Sequence, residues 1–248
     1  MWASGRSLFG AWCSLESSFS AEIAARSGFD YVCIDMQHGL SDFSSLLPAL
    51  QAVYAGGSLE LVRVPENQPW MIMKSLDLGA RGVIVPLIDF PEMAAKAAAA
   101  VRYPPGGRRS YGPTRAGVVL DDPSPDVHGR AACIVMIESQ DALRSVVEIA
   151  RVPGVDALYI GPADLSLSLD LPLPGREPNP TFEEAAATVL EAAVNAGIYA
   201  GIHCTDAATA RRRQAQGFHM INVVSDVQLL RRGFASELSL AQDEHKPR

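Results

Sequence analysis

The chain has 248 residues, of which 48% are hydrophobic, 20% charged and 7% aromatic, and its formal net charge is -7 at pH 7. That length can bury a sizeable core as one large α/β domain or two small ones. The acidic balance lacks the basic footprint of a nucleic-acid-binding protein, and no run of eighteen or more apolar residues offers a membrane span.

Apolar strands and helical stretches alternate along the chain. Leu8 to Trp12 reads as a short buried strand, followed by helical spacing from Ser17 to Ser27 that stops at Gly28. Tyr31 to Ile34 is the second strand, and Ser41-Asp42 caps a helix through Leu46, Leu50 and Val53 that ends at Gly56-Gly57. The third strand is Leu59 to Val64, and Pro69 opens a helix to Gly79. Gly82 to Pro86 follows, then an alanine-rich helix from Pro91 to Val101. Residues 102 to 131 break the rhythm with a long Pro/Gly/Arg-rich loop. It resumes with strand Ala132 to Ile137, a helix from Asp141 to Ala150, and strand Ala157 to Ile160. A second long loop contains Leu171 to Gly175. Thr181-Phe-Glu-Glu184 has the form of a capping box before a helix to Asn195. Strands Ile198 to Ile202 and His219 to Val224 enclose a further helix, and a last helix runs from Asp226 toward Leu240 into a polar tail. Arg211-Arg212-Arg213 lies in a predicted helix and reads as a solvated face.

Strict βα alternation predicts a parallel sheet. Eight units in 248 residues fit a single (β/α)8 TIM barrel spanning residues 1–248, and no glycine fingerprint after the first strand supports an open doubly wound sheet. Cys13, Cys33, Cys133 and Cys204 are far apart and fall in or beside apolar strands, so they read as buried free thiols. No basic start precedes a long apolar core, so no signal peptide is read and the expected location is the cytoplasm.

A barrel's active site is assembled from the C-terminal ends of its strands. The polar residues predicted there are Trp12, Asp35, Gln37, His38, Arg63, Glu138, Asp164 and His203. Glu138 and Asp164 follow adjacent strands, and two oxygen ligands without thiolates or paired histidines suit a hard cation such as Mg2+ or Mn2+. Gly161-Pro162-Ala163-Asp164 is a tight turn whose backbone N–H groups suit an anion. Asp35-x-x-His38 places a carboxylate near an imidazole, which suits a general base, and Arg63 offers a fixed positive charge. The loop Gly107 to Arg115, with Arg108, Arg109 and Arg115, suits either an acidic substrate tail or a subunit interface.

Gly10-Ala-Trp12, Ser20-Ala-Glu-Ile23, Gly28 to Gly39, Val62-Arg63-Val-Pro65 and Leu76-Asp77-Leu-Gly79 make the chain resemble the HpcH/HpaI family of metal-dependent (class II) pyruvate aldolases. The resemblance continues through Val83 to Pro86, Arg102 to Pro105, Ile137-Glu138-Ser139 and Gly161 to Ser166. It implies an aldolase, a carbon–carbon lyase that forms or cleaves 4-hydroxy-2-oxo acids through a metal-stabilised enolate of pyruvate or hydroxypyruvate. It also implies a homohexamer, a trimer of dimers that exchange their last helix. Glu138 and Asp164 would hold a divalent cation (Mg2+, Mn2+ or Co2+), and Asp35 and His38 would move protons. Arg63 would touch the ketone oxygen, with Trp12, Gly161 and Pro162 lining the substrate site. The N–H groups of Ala163 and Asp164 would take the substrate carboxylate, and Asp77 would reach a neighbouring subunit's site. Gln37 and Met136 stand where some family members carry glutamate and glutamine, which leaves the acceptor aldehyde open. The competing enzyme reading is a citrate-lyase-β-like C–C lyase acting on a CoA thioester. A non-catalytic 2-oxo-acid-binding barrel is the third.

Overall fold

A computed structural model describes residues 5–120, 122, 124–175 and 178–243. The elements in chain order are β1 (Leu8–Cys13), α1 (Ser18–Arg26), β2 (Tyr31–Asp35), α2 (Phe43–Gly56), β3 (Leu59–Arg63), α3 (Pro69–Asp77) and β4 (Gly82–Val85). There follow α4 (Pro91–Val101), α5 (Thr114–Leu120), α6 (Pro125–His128), β5 (Ala132–Ile137), α7 (Gln140–Arg144), α8 (Val146–Ala150), β6 (Ala157–Ile160) and α9 (Pro162–Ser168). The last are α10 (Pro180–Ala196), β7 (Tyr199–His203), α11 (Ala207–Ala215), β8 (Met220–Ser225) and α12 (Asp226–Asp243).

The eight strands close on themselves in sequence order, all parallel, from β1 through β8 and back to β1. This is the (β/α)8 barrel that the alternation predicts. Because side chains alternate across a strand, one parity faces the barrel interior and the other faces the helices. The inward set, Leu8, Trp12, Tyr31, Cys33, Leu61, Ile84, Ile134, Met136, Tyr159 and Met220, forms one closed cluster. The outward set, including Val32, Ile34, Val62, Val83 and Val135, packs with the helices in a separate and larger one. The interior is therefore plugged, and a ligand can bind only at an end.

Most predicted elements fall where the periodicity puts them, and the exceptions have local causes. The long loop after α4 carries two short helices, α5 and α6. Arg102, donating to the carbonyls of Gly129, Ala131 and Gly154 and to Asp156, ties it to the strand starts. The predicted helix 141–150 is broken at Ser145 into α7 and α8. The cap before α10 is Asn179, which receives the N–H groups of Thr181 and Phe182, so Thr181 is inside the helix and Pro180 takes its first position. The arginine run on α11 is not wholly solvated. Arg213 is buried, paired with Glu183 at 2.5 Å and stacked over Phe182. All four cysteines are free and buried. No helix among the described residues is long and apolar enough to cross a membrane. The polar tail beyond Asp243 lies outside the described residues.

Close packing inside the barrel relies on glycines in β1 and β7. A Cβ at Gly10 would overlap the ring of the fully buried Tyr31, and one at Gly201 would stand 2.5 Å from the Tyr159 ring. Gly10→Ala is therefore an overpacking substitution that should cost about 1–3 kcal/mol. Chemical denaturation would show it as a lowered midpoint at unchanged slope; an unchanged midpoint would mean that Tyr31 has room to retreat.

Candidate active site

The inward parity that fills the barrel also selects what crowns it. One step beyond the apolar plug, the same faces present Trp12, Asp35, Arg63, Glu138, Gly161, His203 and Asn222 at the C-terminal mouth. Asp35 and Arg63 are register partners on β2 and β3, and both are buried. Arg63 donates Nε to Asp35 Oδ1 at 2.8 Å and Nη2 to Oδ2 at 2.6 Å, a bidentate pair. Burial alone would raise the Asp35 pKa, but the Arg63 hydrogen bonds and charge outweigh it, so the carboxyl lies below its usual range. The Arg63 guanidinium also stands 5.1 Å from the centre of the Trp12 ring. Those two bonds use Nε and Nη2; Nη1 makes no protein hydrogen bond among the described residues.

The turn after β2 folds back on Asp35. Gln37 and His38 donate their backbone N–H groups to Asp35 Oδ1, and a Cβ at Gly39 would strike the Asp35 carbonyl, so the tight return needs glycine there. His38 is exposed at the rim. Its link to the Asp35 carboxylate is through the main chain; the carboxylate itself is engaged by Arg63. The pairing of imidazole and carboxylate suggested by the D-x-x-H spacing is thus replaced by a carboxylate that anchors the turn carrying the histidine.

Glu138 follows β5 and is 3% exposed. Its Oε1 accepts the N–H of Leu87 at 2.7 Å. Leu87 reaches that position with a φ of 56°, a left-handed conformation that costs a leucine about 1–2 kcal/mol. Oε2 is buried without a partner, and the absence of a side chain at Gly161 makes its space, because a Cβ there would collide with it. Burial raises the Glu138 pKa; the Leu87 N–H and Arg63 oppose this, while the charges of Asp164 and Asp89 add to it, and the result is about 7.

Asp164 stands exposed in the first turn of α9, which starts directly after β6 rather than as an extended turn. Gly161 is its N-cap and makes no side-chain cap hydrogen bond, and Pro162 takes the first helical position. The helix thus presents the free N–H groups of Ala163 and Asp164 beside the carboxylates. Asp77 lies elsewhere. It ends α3, which runs back to the strand starts, and it pairs with the buried Arg109 at 2.9 Å. Arg109 also donates to the His128 carbonyl and stacks on Tyr103, so it is a strut of the long loop. Arg115 donates to the Leu78 carbonyl.

Two features of the mouth were not read from sequence. The Leu87 amide contributes through the backbone, for which no residue type signals. Asn222 carries no strand-end signature because it lies within β8, yet its side chain approaches His203 Nε2 at 3.4 Å. Met136, below Glu138, completes the floor, its methyl lying 2.9 Å from where a Gly161 Cβ would be.

No group of three or more His, Cys, Asp or Glu that could hold a metal occurs among the described residues. The donor set still fits a hard divalent cation. Glu138 has an orphaned buried carboxylate oxygen and feels the charge of a second, exposed carboxylate, Asp164, and Mg2+-type ions commonly take one or two protein carboxylates, with water and substrate oxygens filling the shell.

Between pH 4.5 and about 7 the unfolded chain releases a proton that folded, metal-free Glu138 retains, so this residue makes stability fall as pH rises through that window. Glu138→Gln removes the penalty and keeps the acceptor for Leu87. In chelator, its melting temperature relative to the parent should rise from pH 5 to pH 8, by up to about 2–3 kcal/mol of stability. A difference independent of pH would contradict the assigned electrostatics.

Known proteins resemble this chain along most of its length. Residues 8–233 match the model of the HpcH/HpaI aldolase/citrate lyase family. The hydroxypyruvate/pyruvate aldolase of Rhizorhabdus wittichii is 38% identical over 239 residues, covering 92% of each chain. The 4-hydroxy-2-oxo-heptane-1,7-dioate aldolase of Salmonella dublin is 36% identical over 92% of this chain and 88% of its own. The crystal structure of an aldolase/citrate lyase family protein from Burkholderia cenocepacia superposes with a TM-score of 0.85 at 35% identity, covering 96% of this chain and 95% of that one. The chain belongs to the HpcH/HpaI family and is an aldolase, a carbon–carbon lyase, of that family.

Proposed function

We propose that the mouth binds a divalent cation through Glu138 and Asp164 and that the enzyme makes or cleaves 4-hydroxy-2-oxo acids, joining pyruvate or hydroxypyruvate to an aldehyde. The observation that carries this reading is the uncompensated carboxylate pair, with the unpartnered Oε2 of Glu138 facing space cleared by Gly161. The names of the relatives support the substrate class.

A bound cation would supply positive charge to the carboxylate and ketone oxygens of the 2-oxo acid and to the charge that develops when C3 loses a proton. Arg63 adds a second positive group: Asp35 fixes two of its nitrogens, and Nη1 would donate to the ketone oxygen. The N–H groups of Ala163 and Asp164 receive the substrate carboxylate. Gly161 and Pro162 keep that approach open, and Trp12 forms the apolar wall. His38, held over the mouth by the Asp35-anchored turn, takes the proton from C3. After C3 bonds to the aldehyde carbon, the aldehyde oxygen is protonated; cleavage runs the same steps backwards. No lysine follows a strand end, so a Schiff base is not part of this route.

Asp77 is too far down its own barrel to act at its own mouth, so its catalytic role requires a neighbouring subunit. Exposed Leu229, Leu230, Phe234, Leu238 and Leu240 on α12 support the same assembly, a homohexamer made as a trimer of dimers that exchange this helix. A cytoplasmic location belongs to the same proposal.

Metal-stripped enzyme should lose turnover and regain it with Mg2+, Mn2+ or Co2+, and Glu138→Gln or Asp164→Asn should not be rescued; full turnover in EDTA would exclude the mechanism. His38→Ala should slow exchange of the pyruvate methyl protons into D2O by about 100-fold or more, as followed by proton NMR, and exchange at the parental rate would remove it as the base. Phe234→Glu should reduce the mass measured by light scattering, whereas an unchanged particle mass would exclude α12 from the interface.

A further inference from the structure

His203 ends β7 on the inward parity, in the same crown as Trp12, Asp35 and Arg63, and the reaction outlined above gives it no task. Three contacts define it. Its ring meets the Trp12 ring edge-on with centroids 5.0 Å apart. Its Nε2 lies 3.4 Å from Asn222 Nδ2. Arg63 and Asp35 both act on it electrostatically, so it shares their side of the mouth.

The Asn222 contact assigns the ring proton. Asn222 Nδ2 also donates to the Cys204 carbonyl at 3.1 Å, which orients the amide with its nitrogen toward both groups. An amide nitrogen only donates, so His203 Nε2 must accept, and the ring proton resides on Nδ1. Burial lowers the imidazole pKa, the Arg63 charge lowers it further and Asp35 opposes them; at about 4 the ring is neutral at physiological pH. The residue is only partly buried. Since the barrel beneath it is filled by Tyr159 and Met220, its open side is the mouth.

We propose that His203 is a specificity residue whose Nδ1–H donates to a hydroxyl oxygen carried by one of the two reacting partners, so that the site favours a hydroxylated 2-oxo acid or a hydroxyaldehyde over the unhydroxylated analogue. A donor fixed by a fully buried asparagine and braced against an indole is pre-organised, and it is left unsatisfied when the substrate lacks that oxygen. The assignment rests on the aldol reading and refines it.

The test pairs pyruvate or hydroxypyruvate with propanal or glycolaldehyde, four combinations, in the metal-loaded enzyme. His203→Phe keeps an aromatic ring against Trp12 and removes the donor; His203→Leu removes both. Each should lower kcat/KM for a hydroxylated partner by about tenfold relative to its unhydroxylated counterpart, with activity on pyruvate and propanal reporting that the protein is folded. His203→Asn, whose amide nitrogen can replace Nδ1, should restore the preference. Loss confined to hydroxypyruvate supports contact with the C3 oxygen of the nucleophile, and loss confined to glycolaldehyde supports contact with the acceptor. A uniform change across all four pairs, or an Asn variant as unselective as Phe, overturns the assignment. A parent enzyme inert toward every pair overturns the aldol reading itself.

Discussion

The bidentate pair between Asp35 and Arg63 sets the charge balance of the mouth. Each group cancels the other, and both are too buried for water to do so; removing one partner of such a pair typically costs about 3–5 kcal/mol. With Arg63 committed to Asp35, Glu138 and Asp164 are left without a full counter-charge. Glu138 responds by holding its proton up to about pH 7. A positive group bound beside Glu138 would oppose that shift.

The same pair explains how the turn after β2 is held in place. A carboxylate at a strand end that accepts two backbone N–H groups from the following turn acts as a splint, and here it positions His38 without touching its ring. Opposite it, Leu87 does the corresponding work for Glu138 by directing a single amide at one oxygen. Backbone strain at Leu87 and the missing side chain at Gly161 serve one end: one carboxylate oxygen is tethered and the other is open.

The barrel interior contributes by exclusion. Tyr31, Tyr159, Leu61, Ile134 and Met220 leave no passage, so charge and hydrogen-bonding capacity collect in the last inward layer. Trp12 joins the two regions, stacked on Tyr159 at 5.8 Å below and facing Arg63 and His203 above. Polar groups placed in that layer are desolvated from beneath and solvated only from the mouth, which is why burial shifts both Glu138 and His203 toward their neutral forms.

Alternating apolar runs were sufficient to determine the eight βα units, because burial of one strand face and one helix face imposes periods that survive in the linear order. They also placed Asp35, Arg63, Glu138 and Asp164 at strand ends, since a barrel concentrates its polar residues there. Only the tertiary structure decided their partners. Spacing along the chain suggested that Asp35 would hold His38, but the neighbour in register on β3 is nearer and charged, and Coulomb attraction in a dry layer prevails over sequence proximity. It likewise decided that Arg213 and Arg109 are buried struts rather than free cations, and that an amide from Leu87 and an amide side chain from Asn222 enter the site. Those contacts join residues tens of positions apart, and a linear pattern carries no distance between them.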